Sequence, residues 1–493
     1  MSVIALLLLP LIATLLVCLP LRNRWAFGVT IAVSVADLAL AWRVAWQVVS
    51  GRKSVELVPA HLANWLAVDG LSALILLLVA LIAFTAAIFS VGYMANAGMQ
   101  TKKHRLYHVN FNLFVFSMLA IPLLAEPTSV WIVVELTTLC SALLVSFDDT
   151  RAALEAAWKY VVLSLMGAGI ALFGFLVLFA AMQAGGGGTY TWAGLLSAAP
   201  RMPPLLLQTA FVLILIGLGT KVGLVPMHTW LPDAHSQAPA PVCALLSGVE
   251  TTTILYVILR LFPVMQAVPA AHAETWALVL GLVSVGVAAF LLLQVEDYKR
   301  LFAFSTVEHM GIILTAVGLG ASAADYGAVQ QIVSHSVTKS FCFFAAGATL
   351  LSVNTRDIAD VRGLMRRSPF AAVALLIGGL AITGAPPLAV FLSEFSILKA
   401  GLAQHQYVAT GLLAAFIVIA FFGVMVHVNR MVFGAPPKAE AESNSSAALR
   451  AAPLPFSCRL ALLLTAVPVL VLGVYVPKPL HDLLGMAAAA LTR

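Results

Sequence analysis

The sequence predicts an all-α polytopic membrane protein of about 14 transmembrane helices, with two inverted five-helix repeats among them. Three observations predict it. Of the 493 residues, 61% are hydrophobic and 10% charged, against roughly 25% charged in a soluble domain; the mean hydropathy is +1.01. Apolar stretches long enough to cross about 30 Å of hydrocarbon recur along the chain. Lysines and glutamates interrupt those stretches at corresponding places in two parts of it. So little charge cannot cover a water-facing surface of this size. A soluble enzyme, a disordered protein and a nucleic-acid binder are therefore excluded as primary readings. The net charge of +6 is a topology signal, not a polyanion-binding one.

The elements follow in order. Segment 1–108 carries spans near 2–20, 26–47 and 69–92. No basic residue precedes the first apolar run, which reads as a retained span and not a cleaved signal. The first five-helix unit, 109–262, holds spans near 109–125, 127–147, 158–183, 205–230 and 239–262. Within it, Gly185 to Gly188 forms a linker turn. The second unit, 273–433, holds spans near 273–294, 300–320, 326–351, 370–400 and 407–433. Segment 434–493 begins with a polar loop from Ala435 to Pro455, carrying Glu440 and Glu442, and ends with a span near 456–476. Period-two alternation is absent, which argues against a β-barrel. Odd-numbered loops hold 16 lysines and arginines, among them Lys299, Arg300, Lys438 and Arg450; even-numbered loops hold 5, among them Arg43 and Lys53. The positive-inside rule then places odd loops in the cytoplasm and both termini outside, in a bacterial inner membrane.

Charges inside the spans carry the functional reading. Lys159, Lys221, Lys339 and Lys399 fall there, as do Glu135, Glu250, Glu308 and Glu394, and His309, His335 and His427. Each lysine or glutamate at the bilayer centre costs about 2.5–3.5 kcal/mol. They are expected to face a protein interior, a partner or water. His335 and Lys339 stack one turn apart, with Gln331 a turn earlier. Pro226 follows Lys221, and Gly384-Ala-Pro386-Pro387 interrupts the twelfth span. Broken helices beside a charge mark ion sites at the membrane midplane. A buried Glu–Lys pair is a proton switch: when it parts, the lysine tends to release a proton and the glutamate to take one. Blander roles also fit some positions. Glu250 and Lys399 could snorkel or cap a helix end, and His427 could be a packing residue.

The same charges outline the repeat. An acid lies in the second helix of each unit (Glu135, Glu308) and a lysine in the third (Lys159, Lys339). The interrupted fourth helices carry Lys221 in one unit, Glu394 and Lys399 in the other. Five helices is an odd number, so the second copy enters the membrane upside down. The five cysteines are scattered with no C-x-x-C, and neither G-x-G-x-x-G nor a Walker A loop occurs. No catalytic residue, metal or cofactor is expected.

Four motifs carry a resemblance. They are Trp131-Ile-Val-Val-Glu135; Lys221-Val-Gly-Leu-Val-Pro-Met-His228-Thr-Trp-Leu-Pro-Asp233-Ala-His235; Asp297-Tyr-Lys-Arg300-Leu-Phe-Ala-Phe-Ser305; and His335-Ser-Val-Thr-Lys339. Over about residues 65–430 the chain resembles the proton-translocating antiporter-like subunits of respiratory complex I, Mrp cation/proton antiporters and group 4 membrane-bound hydrogenases. Leu154-Glu-Ala-Ala-Trp-Lys159-Tyr160 and Ser305-Thr-Val-Glu308-His309 look most like the subunit-F group of hydrogenase-4-type complexes. The resemblance implies a Glu135–Lys221 pair and a relay through Lys159, His335 and Lys339, with an exit-side acid at Glu394. His228, Glu308, His309 and Lys399 are also expected to join the relay. It implies partner membrane subunits of a hydrogenase-like or complex I-like assembly whose redox chemistry drives proton transport, the lipid bilayer around it, and no nucleic acid. An Mrp-like Na⁺/H⁺ antiporter subunit is the alternative. One departure stands out: many relatives place a lysine or histidine in the eighth span, where this chain has Leu246-Ser-Gly-Val-Glu250-Thr-Thr-Thr253. The link between half-channels is expected to use Glu250, the threonine hydroxyls and water.

Overall fold

In lipid, backbone groups find no water, so an apolar chain must satisfy them within helices. The computed structural model describes residues 2–19, 23–52, 57–95, 101–435 and 453–492, and among these it contains helices and two isolated β-bridges but no strand. Lys53, Lys438, Arg450, Glu440, Glu442 and most of the predicted polar loop lie outside the described residues. Eleven helices are long and apolar enough to cross a membrane, and three shorter apolar ones accompany them, among the described residues.

The first bundle contains α1 (Ser2–Cys18), α2 (Asn23–Val49), α3 (Gly70–Ala95) and α4 (Thr101–Ala120). Next come α5 (Pro127–Val145), α6 (Arg151–Ala184) and α7 (Pro204–Val222). Two short helices follow, α8 (Trp230–Gln237) and α9 (Ala240–Leu245). A π turn, Leu246–Glu250, joins α9 to α10 (Thr251–Leu259). The second half holds α11 (Ala273–Leu291), α12 (Tyr298–Gly318), α13 (Ser322–Val353), α14 (Pro369–Ile382), α15 (Ala389–Ala403) and α16 (Tyr407–Phe433). The chain closes with α17 (Phe456–Val471) and α18 (Lys478–Ala489). The last helix was not predicted; it packs on α3 and α13.

Position in the bundle follows from burial. The segment Ala240–Leu259 is entirely buried, and Tyr298–Gly318 nearly so. The 32-residue α13 packs against α12, α14, α15, α9, α17 and α3. Outer helices expose large apolar side chains such as Ile132, Leu143, Phe173 and Phe422, as a lipid-facing surface requires. Polar residues therefore gather at the centre, around the α9–α10 segment and α13.

The seventh and twelfth predicted spans are both broken. Helix α7 stops at Gly223, whose φ of 87° is a left-handed cap. The Trp230 indole donates to the Thr220 carbonyl at 2.7 Å, so one freed acceptor is satisfied by the chain's return. The stretch predicted as 370–400 is two helices, α14 and α15, parted around Gly384 and the Pro386-Pro387 pair.

Candidate functional site

Lys221 occupies the last turn of α7 and is 2% exposed. Its Nζ lies 3.0 Å from Glu250 Oε1, 2.6 Å from Thr138 Oγ1 and 3.0 Å from the Tyr160 hydroxyl. Tyr160 donates to Glu250 Oε1 at 3.0 Å, and Ser141 Oγ lies 2.7 Å from the same phenol. Four elements thus meet at one ion pair: α5 gives Thr138 and Ser141, α6 gives Tyr160, α7 gives Lys221, and the π turn gives Glu250. A π turn inserts one residue per turn and re-aims the side chains after it. Here it delivers the carboxylate of an otherwise uncharged segment to the lysine. Glu250 neither snorkels nor caps an end; it is 1% exposed.

Glu135 sits on α5 one turn before Thr138 and Leu139. Both its oxygens are buried without a hydrogen-bond partner. Lys221 acts on it through charge alone, so the ion pair expected between these two is made by Glu250 instead.

In the second half, Lys339 is fully buried in α13. Its ammonium donates to the Phe302 carbonyl and, at 2.5 Å, to Ser305 Oγ, both on α12. Glu308, one turn beyond Ser305 and 3% exposed, feels the Lys339 charge. His335 Nε2 lies 3.0 Å from the Ser247 carbonyl, inside the π turn that carries Glu250. The His335 and His309 rings are 5.1 Å apart. Gln331 Nε2 lies 2.9 Å from His309 Nδ1, and His309 Nε2 lies 2.9 Å from the Ile382 carbonyl at the broken end of α14. Ser393 donates to Gln331 Oε1. Next to it, Glu394 (5% exposed) turns toward Gly384, where an added Cβ would collide with Oε2. The twelfth-span break is therefore held open by a glycine that makes room for an acid.

Several buried polar atoms on the α9–α10 segment and on α13 have no protein hydrogen bond. They include Glu250 Oε2, Thr253 Oγ1, His335 Nδ1, Ser336 Oγ and Thr338 Oγ1. Orphaned groups at this burial cost about 1–3 kcal/mol each unless water serves them. Of the threonines singled out in the eighth span, Thr251 and Thr252 donate to the Ser247 and Gly248 carbonyls of their own helix and only Thr253 is left unpartnered; Ser247 Oγ lies 2.7 Å from Thr306 Oγ1.

Other candidates lie elsewhere. Lys159 was expected inside the membrane but its side chain is 46% exposed, with Nζ 2.7 Å from Glu155 and 3.2 Å from Asp233. Its ammonium is held by carboxylates at the start of α6 and on α8, not by the buried file. Arg300 completes that cluster on Asp233. Lys399 is exposed on α15, not buried. His228 is half-buried in a short 3₁₀ turn with its ring 6.3 Å from Phe304, and His427 is half-buried on α16. Lys299, counted as a loop cation, is 1% exposed and donates to the Ser236 and Ala238 carbonyls at 2.9 and 2.5 Å. Tyr160, Thr138, Ser141, Ser305 and Ser393 were not singled out as site residues. A hydroxyl in an apolar helix carries little signal of its own, because it can bond its own backbone.

Comparisons with known proteins place this arrangement in a class. Residues 126–422 match the family model described as NADH:quinone oxidoreductase/Mrp antiporter, TM, and residues 61–101 match that of the complex I chain 5 N-terminus. The chain belongs to this family of antiporter-like, proton-translocating membrane subunits. It is 36% identical over 418 residues to a hydrogenase-4 component F homolog of Methylacidiphilum infernorum, covering 83% of this chain and 85% of that one. A chain of the archaeal membrane-bound sulfane sulfur reductase shares the fold with a TM-score of 0.86 at 23% identity, covering 99% and 97% of the two chains. A chain of the Mrp complex from Dietzia sp. does so at 0.84 and 23%, with the same coverage. The protein is membrane-embedded and multi-pass.

Proposed function

We propose that this chain carries protons across a bacterial inner membrane as one subunit of a larger redox-driven assembly of the hydrogenase-4 or NADH:quinone oxidoreductase type. Lys221 with Glu250 loads one half-channel, with Glu135 as a second acid within the field of Lys221. The proton then follows the orphaned hydroxyls and water past the π turn to His335 and His309. Lys339 and Glu308 hold it in the second half, and Glu394 releases it beside the twelfth-span break. Lys159, His228 and Lys399 serve the ends of this path, where protons meet water. The observation that carries the reading is the fully buried Lys221–Glu250 pair, joined to His335 through one π turn.

The drive is electrostatic. A partner's redox step perturbs one Glu–Lys pair, and its separation changes the balance at the next. Two five-helix units, 109–262 and 273–433, inserted in opposite senses would give the two half-channels opposite access. Both termini outside and a cytoplasmic polar loop fit the cation count of the loops. Sodium is the competing coupling ion, by similarity to Mrp proteins. A file built on Lys221, His335 and Lys339 repels a metal cation, whereas each of these groups can carry a proton.

The test is proton uptake into inverted vesicles holding the complete assembly. Lys221→Ala and Glu135→Ala should insert normally and abolish acidification, while normal acidification in both overturns the proposal. Acidification that requires sodium points to the antiporter instead.

A further inference from the structure

A second polar seam lies in the first bundle. Thr30, Ser34 and Asp37 recur at helical spacing on α2 and are 1%, 3% and 1% exposed. On α4, His108 (1%) and Asn112 (2%) face Thr30, with His104 (7%) one turn earlier. Thr30 Oγ1 lies 3.1 Å from His108 Nδ1 and accepts from Asn112 Nδ2 at 3.2 Å. Both oxygens of Asp37 are buried without a hydrogen-bond partner, as are His108 Nε2 and His104 Nδ1. An ionisable residue inside a span, kept without a partner, marks function more often than packing.

The seam has a direction. Thr30 and His108 each lie about two turns into their helices, so α2 and α4 begin at the same membrane face. Arg22, Arg24, Lys102, Lys103 and Arg105 flank those beginnings in the sequence. Asp37 lies about 10 Å deeper than Thr30 along α2, in the middle of a 27-residue helix. The elements packed on α2 are α1, α3, α4 and α18. Helix α1 offers only the exposed Cys18, and α3 only Tyr93 among titratable groups. Helix α4 offers Lys103, His104, Arg105, Tyr107 and His108, and α18 the exposed Lys478, His481 and Asp482. On α2 itself Arg43 is exposed. None of these makes an ion pair with Asp37 among the described residues.

We propose that Asp37 is a proton-binding site of the first bundle, loaded from the cation-rich face through His104 and His108. A proton taken from water at His104 passes to His108 and then, along Thr30, Ser34 and bridging water, to the Asp37 carboxylate, which becomes neutral. The seam ends there, at mid-depth, so it stores a proton without conducting one across. It depends on none of the residues of the central file.

The test is infrared difference spectroscopy on the full-length chain in lipid after a pH jump. A protonated-carboxyl band should appear on acidification and be lost in Asp37→Asn. In His108→Gln the band should still form, but slower, on the order of 100-fold, the contribution typical of one positioned proton carrier. Asp37→Glu checks folding, and should shift the band without abolishing it. A band removed by Asp37→Asn but constant at every pH would mean a permanently neutral structural acid. Displacement of the band by sodium would mean a cation site. Either result, or no band lost at all, overturns the proposal.

Discussion

The Lys221–Glu250 pair tests what a buried ion pair is for. Removing one partner leaves an uncompensated charge in a dry interior, at a cost of about 3–5 kcal/mol. Glu250→Gln should therefore lower the thermal stability of the purified chain sharply. Lys221→Met combined with Glu250→Leu should recover most of that loss, because apolar replacements of similar volume are often neutral. Proton uptake should be absent from all of them. Tyr160→Phe is a finer probe. It deletes the phenol that lies between Lys221, Glu250 and Ser141 and keeps the ring against Trp230. A lost buried hydrogen bond is worth about 1–3 kcal/mol, and each 1.36 kcal/mol of barrier is about tenfold in rate. The initial rate of proton uptake should fall on that scale with insertion unchanged. At this scale Lys221, Lys339, Glu308 and Glu394 were legible, since a charge in an apolar run is conspicuous. Tyr160 was not, because a phenol in a helix has no such contrast. Lys159 is exposed instead, because an apolar run does not display the Glu155 and Asp233 carboxylates that meet its ammonium.

At the scale of elements, two helix ends position the file. Helix α5 starts at Glu126, whose carboxylate accepts from the Thr128 and Ser129 amides at 3.0 and 2.6 Å and from the Ser129 hydroxyl at 2.6 Å. Burial pushes this carboxyl up, but the Ser129 and Thr128 bonds outweigh it and hold it below the ordinary 4.5. A depressed folded value means stability present above the unfolded pKa and lost as pH falls through the folded one. Glu126→Gln should thus lower the melting temperature at neutral pH, by the equivalent of about 0.5–2 kcal/mol for a lost cap. The gap between the two proteins should close as pH drops below about 4.5. The second end is Gly384, with φ 68° and Glu394 against it. Gly384→Ala imposes a strained backbone and displaces the carboxylate, so proton release should slow more than redox turnover falls. The break itself was legible from the two prolines. The π turn was not, since no local residue preference announces one extra residue. Hence the sequence displays Glu250 as a buried acid but not that Lys221 pairs with it.

Across the whole molecule, the crowded centre explains why polar groups can sit at membrane depth at all. The α9–α10 segment and α12 are walled by other helices, so lipid never meets Lys221, His335 or Lys339. The overall class was legible in hydropathy and in the Lys221, Asp297 and His335 motifs, because lipid restricts a chain to very few solutions. What linked the halves required coordinates, because His335 meets the π turn through a backbone carbonyl, which a sequence cannot display. The His335 contact with the π turn is what joins the two halves of the proposed path. The most direct measurement is therefore proton uptake and redox turnover recorded together on the assembled complex carrying His335→Leu. The proposed path predicts that acidification disappears while the complex remains assembled. Undiminished acidification in that variant would contradict it.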